Sequence, residues 1–403
     1  MSTPSSVISS APAGRFAAAD LFRIFLRVGL TSFGMTMLEN VRRVALTRGL
    51  LSEEELREGL AMVQLYPGPI LFDLVVFIGY RRRGTAGATA AALGYMLPAM
   101  VLMLALAWLY GRYGAWPAMQ VLSTGLGAAV VGVIAHIALD FAKRNLVDAT
   151  SWLLALLAFA AVAAHVNVLV IIAFGLVGGW ASSRDAQPLA AREVSPKNSA
   201  LWGPLLVCGA VMLMAMLAVV TDGPLASVTA EFMKIGATAF GNAATILPVM
   251  QQAVVRNHAW LAAGEFNTAI ALGNLTPGPV LNSATFIGYR VAGVGGGIAA
   301  TLAIFAPSFA MTLLFTELFA RIRHLAWVRA AVAGVLSVFV GLLASTCLLM
   351  AQPMADQPMA LALGALTFAL LRWTRLNLAW VFGIGVALWA VWSLVAQAVG
   401  WFP

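Results

Sequence analysis

Charged residues are scarce in this sequence: Asp, Glu, Lys and Arg make up 10% of its 403 residues, whereas 61% are hydrophobic. A soluble domain carries roughly 25% charged and 45–50% apolar residues, so the composition excludes an ordinary water-soluble protein. Apolar runs of about 20 residues recur along the chain, and each can cross the roughly 30 Å hydrocarbon core of a bilayer. We therefore expect an all-α polytopic membrane protein.

Several kinds of chemistry are also missing. The two cysteines, Cys208 and Cys347, stand alone in apolar runs, which excludes zinc and redox chemistry. The glycine cluster at Gly293–Gly297 has no P-loop lysine after it, so the sequence does not indicate an ATP-driven protein. No Ser-His-Asp or HExxH arrangement is present, and we expect neither an enzyme nor a cofactor.

A long internal repeat is the most informative feature that is present. The segment Phe25–Gly34 (FLRVGLTSFG) returns 207 residues later as Phe232–Gly241 (FMKIGATAFG). Three landmarks follow in the same order at offsets of 209 or 210 residues: Pro67-Gly68-Pro69 and Pro277-Gly278-Pro279, Ile78–Arg81 and Ile287–Arg290, and Pro98 and Pro307. An ordered duplication in an apolar chain predicts a transporter whose halves surround a shared site near the bilayer midplane.

The hydrophobic segments predict how the repeats are arranged. We expect about 13 of them, with residues 58–80 and 266–289 each counted as one crossing. They divide the chain into a disordered tail (1–19), a first transmembrane repeat (20–182), a polar linker (183–200), a connecting transmembrane helix (201–221) and a second repeat (227–403). Because the connecting helix adds one crossing, the second repeat enters the membrane upside down, which predicts two inverted-topology repeats.

The net charge of +8 is interpreted as a topology signal and not as a nucleic-acid surface. With those crossings, most loop Lys and Arg residues, including Arg81, Arg144 and Arg256, fall on one side. A minority, including Arg48 and Arg57, fall on the other. The positive-inside rule then predicts a cytoplasmic N-terminus and a C-terminus on the opposite side, in a multi-pass protein of a bacterial inner membrane.

The two Pro-Gly-Pro motifs interrupt otherwise apolar segments and predict broken helices. A proline cannot donate to the helix ladder, and a proline at the start of the next turn suits a new helix N-terminus. Each restarted helix would direct backbone N–H groups and a partial positive charge at an anion. The predicted substrate-binding residues are Pro67, Gly68, Pro69, Ile70, Pro277, Gly278, Pro279 and Val280. A proline kink that serves only packing is the alternative.

Polar side chains near these motifs complete the predicted binding set. Arg27 and Lys234 occupy matched positions, where they either attract an anion or extend to the membrane interface. Arg81 and Arg290 more readily act as interfacial anchors. The neutral candidates beside the repeated motifs are Gln64, Asn242, Asn274 and Asn282, which either bind the anion or join helices.

Asp73 lies about one turn after the first Pro-Gly-Pro, and it is an acid where an oxyanion is expected. A fixed negative charge there would repel the cargo, so a proton-coupling role is predicted instead of direct contact. Its counterpart region in the second repeat carries Asn282 and Ser283. A salt bridge from Asp73 to Arg27 is the alternative.

The order of motifs also resembles a known family. The pattern F-x-[KR]-x-G-x-[ST]-x-FG, then L-[ST]-x-x-E-[LF] near Leu51–Leu56, then PGP, IGYR and a proline-bearing apolar helix resembles the chromate ion transporter family in its long, two-repeat form. The resemblance spans Leu21 to Trp401 and implies an inner-membrane protein for chromate or sulfate-like oxyanions. The chain departs from the family after the first PGP, where Ile70–Asp73 replaces small and polar residues.

Together these features predict a secondary active transporter of a divalent oxyanion, with efflux from the cytoplasm driven by the proton motive force. A passive anion channel is the main alternative, and a membrane-embedded enzyme is a weaker one. The expected partners are a small inorganic oxyanion and the lipid bilayer, without nucleic acid or metal, and a homodimer is left open.

Overall fold

The structure is a computed structural model that describes residues 16–31, 37–64, 66–114, 116–181, 201–239, 243–322, 326–374, 376 and 378–398. The predicted linker (183–200) and most of the predicted tail (1–19) lie outside these residues. The described chain forms fifteen α-helices: α1 Ala18–Thr31, α2 Met37–Thr47, α3 Glu53–Met62, α4 Ile70–Tyr113, α5 Pro117–Asn145, α6 Ala149–Ala163, α7 Val168–Ala181, α8 Trp202–Val220, α9 Pro224–Ala237, α10 Leu247–Gln251, α11 Ala263–Leu275, α12 Ser283–Ile322, α13 Ala326–Ala351, α14 Pro358–Trp373 and α15 Leu378–Ala398. The all-α expectation is confirmed.

Five apolar stretches of the described helices are long enough to cross a membrane: Ile70–Tyr113, Gln120–Asn145, Trp202–Val220, Val280–Leu318 and Ala330–Met354. The stretch in α8 is the least covered by protein, with 11% of its apolar window buried, whereas the stretch in α13 is 61% buried. The connecting helix α8 therefore lies at the lipid-facing surface, and α13 lies in the interior of the bundle.

Helices α4 and α12 are each divided by a glycine kink at matched positions. Gly84 has φ 56° and Gly293 has φ 65°, a left-handed conformation that glycine adopts without strain. Beyond each kink the chain folds back so tightly that backbone meets backbone, at Gly79 with Gly87 and at Gly288 with Gly296. Each helix thus has a short arm (70–83 or 283–292) and a long arm (84–113 or 293–322).

The short arms form hairpins with the helices that precede the Pro-Gly-Pro motifs. In the first repeat, Glu55 of α3 pairs with Arg81 of the short arm at 3.1 Å. In the second, Glu265 of α11 pairs with Arg290 at 3.0 Å. Each ion pair joins residues on opposite sides of a Pro-Gly-Pro, so the motif is the tip of a hairpin whose two ends lie together. The prediction that residues 58–80 and 266–289 each cross the membrane is therefore wrong, although each is broken in two as expected.

The two repeats have opposite orientations. Near the end of α12, Glu317 Oε1 accepts a hydrogen bond of 2.7 Å from Tyr80 in the first short arm. Near the end of α4, the ring of Tyr110 lies 5.9 Å below the guanidinium of Arg290 in the second. The base of each hairpin thus meets the far end of the other repeat's long arm. This antiparallel arrangement confirms the inverted repeats.

The hairpins change the predicted distribution of charge. The carbonyl of Leu50 accepts a hydrogen bond from Arg82, and Glu55 pairs with Arg81, so this connection lies at the same end of the molecule as Arg81. Arg48 and Arg57 flank it, and they lie at this end and not on the opposite side as predicted. Arg256 was predicted on the same side as Arg81 but lies at the opposite end of the molecule. It precedes α11, and Glu265 near the start of α11 pairs with Arg290.

Candidate anion and proton site

The tip of the first hairpin lies against the long arm of the second repeat. The backbone of Gly68 approaches the side chains of Asp73 and Ser308 so closely that an added Cβ would overlap both. Asp73 is 0% exposed. Its Oδ1 accepts a hydrogen bond from the Ser308 hydroxyl, whereas its Oδ2 has no partner among the described residues. The tip thus encloses a carboxyl that is half satisfied and sealed from solvent.

The tip of the second hairpin has the same construction with different chemistry. Gly278 has φ 110°, which favours glycine, and an added Cβ would lie 2.7 Å from Asn282 Nδ2 and 3.3 Å from Ala99 Cβ. Asn282 is 1% exposed, and neither Oδ1 nor Nδ2 has a hydrogen-bond partner in the described part of the chain. A buried amide without partners costs about 1–3 kcal/mol, so such groups are rare unless a ligand satisfies them.

The contacts show which residues of the two tips correspond. Asp73 and Asn282 are 209 residues apart, as are Ala99 and Ser308. Each hairpin tip therefore meets the residue that follows the helix proline of the opposite repeat. Asn282 is the structural counterpart of Asp73, whereas the Ser283 hydroxyl is engaged by the carbonyl of Val280 at 2.7 Å. The first tip therefore combines the Asp73 carboxyl with the Ser308 hydroxyl, and the second tip combines the Asn282 amide with the Ala99 methyl group.

Sequence reasoning missed the polar residues around Asp73. The Tyr66 hydroxyl lies 2.8 Å from the Thr312 hydroxyl, which in turn donates to the carbonyl of Ser308 at 2.9 Å. Tyr66 and Thr312 are both buried. Hydroxyl residues spaced four apart in the apolar helix α12 were the available signal, because that spacing places them on one face.

The other predicted site residues are dispersed. Ile70 and Val280 begin the short segments after the tips and are half-buried. The Asn274 amide donates to the carbonyl of Ile270 in its own helix at 2.9 Å, and Gln64 is exposed. Asn242 lies outside the described residues.

The two matched cations do not line the tips. Arg27 and Lys234 are exposed on α1 and α9, and Lys234 pairs with Glu231 at 3.1 Å. These positions favour extension toward the membrane interface. Asp73 bonds to Ser308, so the alternative salt bridge with Arg27 is not formed.

Comparison with known proteins identifies the family. The chromate transporter family model matches residues 19–180 and 226–391, which are the two repeats. The chain belongs to the chromate transporter family. It is a multi-pass membrane transporter and not an enzyme.

Relatives of known name support this assignment over most of their length. A chromate transport protein of Cupriavidus metallidurans is 32% identical over 92% of this chain and 91% of its own length. A chromate transport protein of Pseudomonas aeruginosa is 30% identical over 87% of this chain and 85% of its own length. An uncharacterized transporter of Methanocaldococcus jannaschii is 29% identical over 81% and 83%. No solved structure matches the chain.

Proposed function

We propose that this chain is a secondary active transporter that exports a divalent oxyanion, chromate or a sulfate-like ion, from the cytoplasm across the bacterial inner membrane. The names of the relatives from Cupriavidus metallidurans and Pseudomonas aeruginosa support chromate as the cargo. The observation that carries the proposal is the pair of buried tips, where Asp73 and Asn282 face the opposite repeat with polar atoms that have no partner among the described residues.

The second tip supplies groups suited to an oxyanion. The Asn282 amide has two N–H donors, and the restarted helix directs its first backbone N–H groups and partial positive charge toward the tip. A tetrahedral oxyanion presents only acceptor oxygens, so it satisfies donors that are otherwise unpaired. Pro277 and Pro279 hold Gly278 in the turn that brings the backbone close to the amide.

The first tip supplies the proton. A dianion and an ionised carboxylate in the same buried site repel each other, whereas a neutral carboxyl can donate a hydrogen bond to the anion. Asp73 therefore takes up a proton when the cargo binds and releases it when the cargo leaves. One proton then accompanies one dianion, and each cycle moves a single net negative charge.

This stoichiometry determines the driving force. An inside-negative potential contributes about 2.3 kcal/mol per elementary charge per 100 mV, and it expels the negatively charged complex. The electrical component of the proton motive force therefore drives export. We place the Arg81 end and the N-terminus in the cytoplasm, because Arg48, Arg57 and Arg81 lie together at that end.

Reconstitution in liposomes tests the proposal and separates a transporter from a channel. With the membrane potential clamped at zero, a proton gradient alone should accumulate radiolabelled chromate against its own gradient, in the direction of proton flow. A passive channel cannot do this. Gly278→Ala should abolish the accumulation, whereas Gly264→Ala, where an added Cβ meets nothing within 4 Å, should preserve it. Chromate movement that only ever runs downhill would refute the transporter.

A further inference from the structure

The long arm of α12 carries a row of polar side chains that its counterpart in the first repeat lacks. Three hydroxyl residues stand four positions apart, so they share one face of the helix, and an acid follows the last of them. The row is Ser308, Thr312, Thr316 and Glu317, and the residues 209 positions earlier in α4 are Ala99, Met103, Ala107 and Trp108. At these matched positions, α12 is therefore polar where α4 is apolar.

One end of the row reaches Asp73. The Ser308 hydroxyl donates to its carboxyl, and the Thr312 hydroxyl, one turn further along α12, donates to the carbonyl of Ser308. The Tyr66 hydroxyl extends the cluster at 2.8 Å from Thr312. Hydroxyl groups both donate and accept hydrogen bonds, so each can receive a proton on one side and pass one on from the other.

The other end of the row reaches the Arg81 end of the molecule. The Thr316 hydroxyl, about two helical turns beyond Ser308, donates to the carbonyl of Thr312 at 2.6 Å. Glu317 Oε1 accepts from the Tyr80 hydroxyl at 2.7 Å, directly beside Arg81. Glu317 is half-buried, so part of its side chain is open to the outside of the protein.

We infer that this row is the path by which protons travel between Asp73 and the Arg81 end, with Glu317 as the entry group. The inference rests on the proposed function, because it presumes that Asp73 carries a proton. Glu317 receives the proton from water at the surface, and the hydroxyls of Thr312 and Ser308 pass it to the Asp73 carboxylate. The helical rise between Thr312 and Glu317 is about 7.5 Å, so the path requires bridging water between their side chains.

The apolar counterpart in the first repeat explains why the path has one direction. Met103 and Ala107 line the corresponding face of α4 and cannot relay a proton. Asp73 can therefore exchange its proton through the row only at the Arg81 end. Release at the opposite end requires the transporter to change conformation with its cargo, which prevents a proton leak.

Other titratable groups around the row are held by their own partners or lie on neighbouring helices. Tyr66 and Tyr80 face it from the first hairpin. Helix α3, which contacts α12, carries Glu53, Glu54, Glu55, Arg57 and Glu58. Glu55 forms ion pairs with Arg81 and Arg82, so its carboxylate is not free to act as the entry group.

Proton flux measured with a pH-sensitive dye inside oriented proteoliposomes tests the path. Glu317→Gln keeps an acceptor for Tyr80 but cannot carry a proton, and Thr312→Val removes the middle relay. Each should slow chromate-coupled proton flux roughly 100-fold or more, the scale on which proton-transfer groups act. The matched control is Thr301→Val, which removes another buried hydroxyl from α12 on the far side of Ser308 and should leave the flux unchanged.

The outcomes separate this inference from the proposed function. If Asp73→Asn abolishes coupled proton flux while Glu317→Gln and Thr312→Val leave it normal, the path is overturned and the proposed function stands. If Asp73→Asn leaves coupled flux intact, both are overturned. Equal sensitivity to Thr301→Val would also overturn the path, because hydroxyl loss anywhere in α12 would then have the same effect. Should Glu317→Gln fail to fold, Tyr80→Phe provides a second alteration of the entry, and a normal proton flux would count against the path.

Discussion

Replacing Asp73 by asparagine should convert a carrier of one net charge into a carrier of two. Asparagine keeps the shape of the side chain, and its carbonyl oxygen can still accept from Ser308. The Asn282 amide already occupies the matching place in the second repeat without hydrogen-bond partners among the described residues. The substitution should therefore destabilise the protein by at most about 1–3 kcal/mol, the desolvation cost of an unpaired buried amide group.

The magnitude follows from the charge that crosses the membrane. The wild-type protein moves a dianion with one proton, so 100 mV supplies about 2.3 kcal/mol per cycle, and the Asp73→Asn variant moves the bare dianion, so 100 mV supplies about 4.6 kcal/mol. In the absence of a pH gradient, the limiting chromate concentration ratio at 100 mV should rise from roughly 50-fold to roughly 2,500-fold. The pH dependence of transport should flatten, because the titrating group is gone.

Both quantities can be measured in proteoliposomes with a potassium diffusion potential, using radiolabelled chromate and a trapped pH indicator. A steeper voltage dependence without proton movement supports the proposed role of Asp73. Unchanged voltage and pH dependence would refute it. If Asp73 instead stabilised Arg27, the variant would lose thermal stability and Arg27→Met would restore it; the exposed position of Arg27 argues against that result.

Three further predictions follow from the hairpins. Gly68→Ala should abolish transport while the protein still inserts, because an added Cβ overlaps the Asp73 carboxyl. The control is Gly209→Ala, where an added Cβ meets nothing within 4 Å. Normal transport by Gly68→Ala would contradict the close packing of the first tip. In a cysteine-free background, cysteines replacing Arg57 and Arg256 should react with an impermeant reagent from opposite sides of the membrane, and labelling from one side would refute the hairpins. The third prediction concerns Glu55. Partial burial raises the pKa of its carboxyl, but the hydrogen bond from the Ser52 N–H and the contact with Arg81 lower it, and the pKa lies below its ordinary value. The resulting stability is present at neutral pH and is lost as the pH falls below about 4.5, so melting curves of Glu55→Gln should depend less on acid pH than those of the wild type.

The sequence by itself determined the class of protein and its symmetry. Scarce charge and recurrent apolar runs require a membrane, because a chain so poor in polar groups cannot cover a soluble surface. Landmarks repeated at a constant offset require two related units, and an odd connecting helix inverts them. The Pro-Gly-Pro motifs break their helices for a local reason, the lack of a backbone donor, which holds in any tertiary context.

Only the tertiary structure decided whether each broken helix continues or turns back. Hydrophobicity is the same for a helix that crosses the membrane and one that folds onto its neighbour, so residues 58–80 were counted as a crossing. The ion pairs of Glu55 with Arg81 and Glu265 with Arg290 settle the direction. The same contacts explain why Arg48 and Arg57 were placed on the wrong side.

The partners of Asp73 depend equally on the fold. Ser308 lies 235 residues away in sequence, and no local pattern pairs it with the first Pro-Gly-Pro. The inverted packing brings the tip of one repeat onto the proline helix of the other. A sequence pattern within one repeat cannot predict such a contact between the two repeats. The sequence identified Asp73 as exceptional and Asn282 as a candidate in its counterpart region. The fold identified Ser308 and Thr312 beside Asp73, and it distinguished Asn282 from Ser283 as the counterpart.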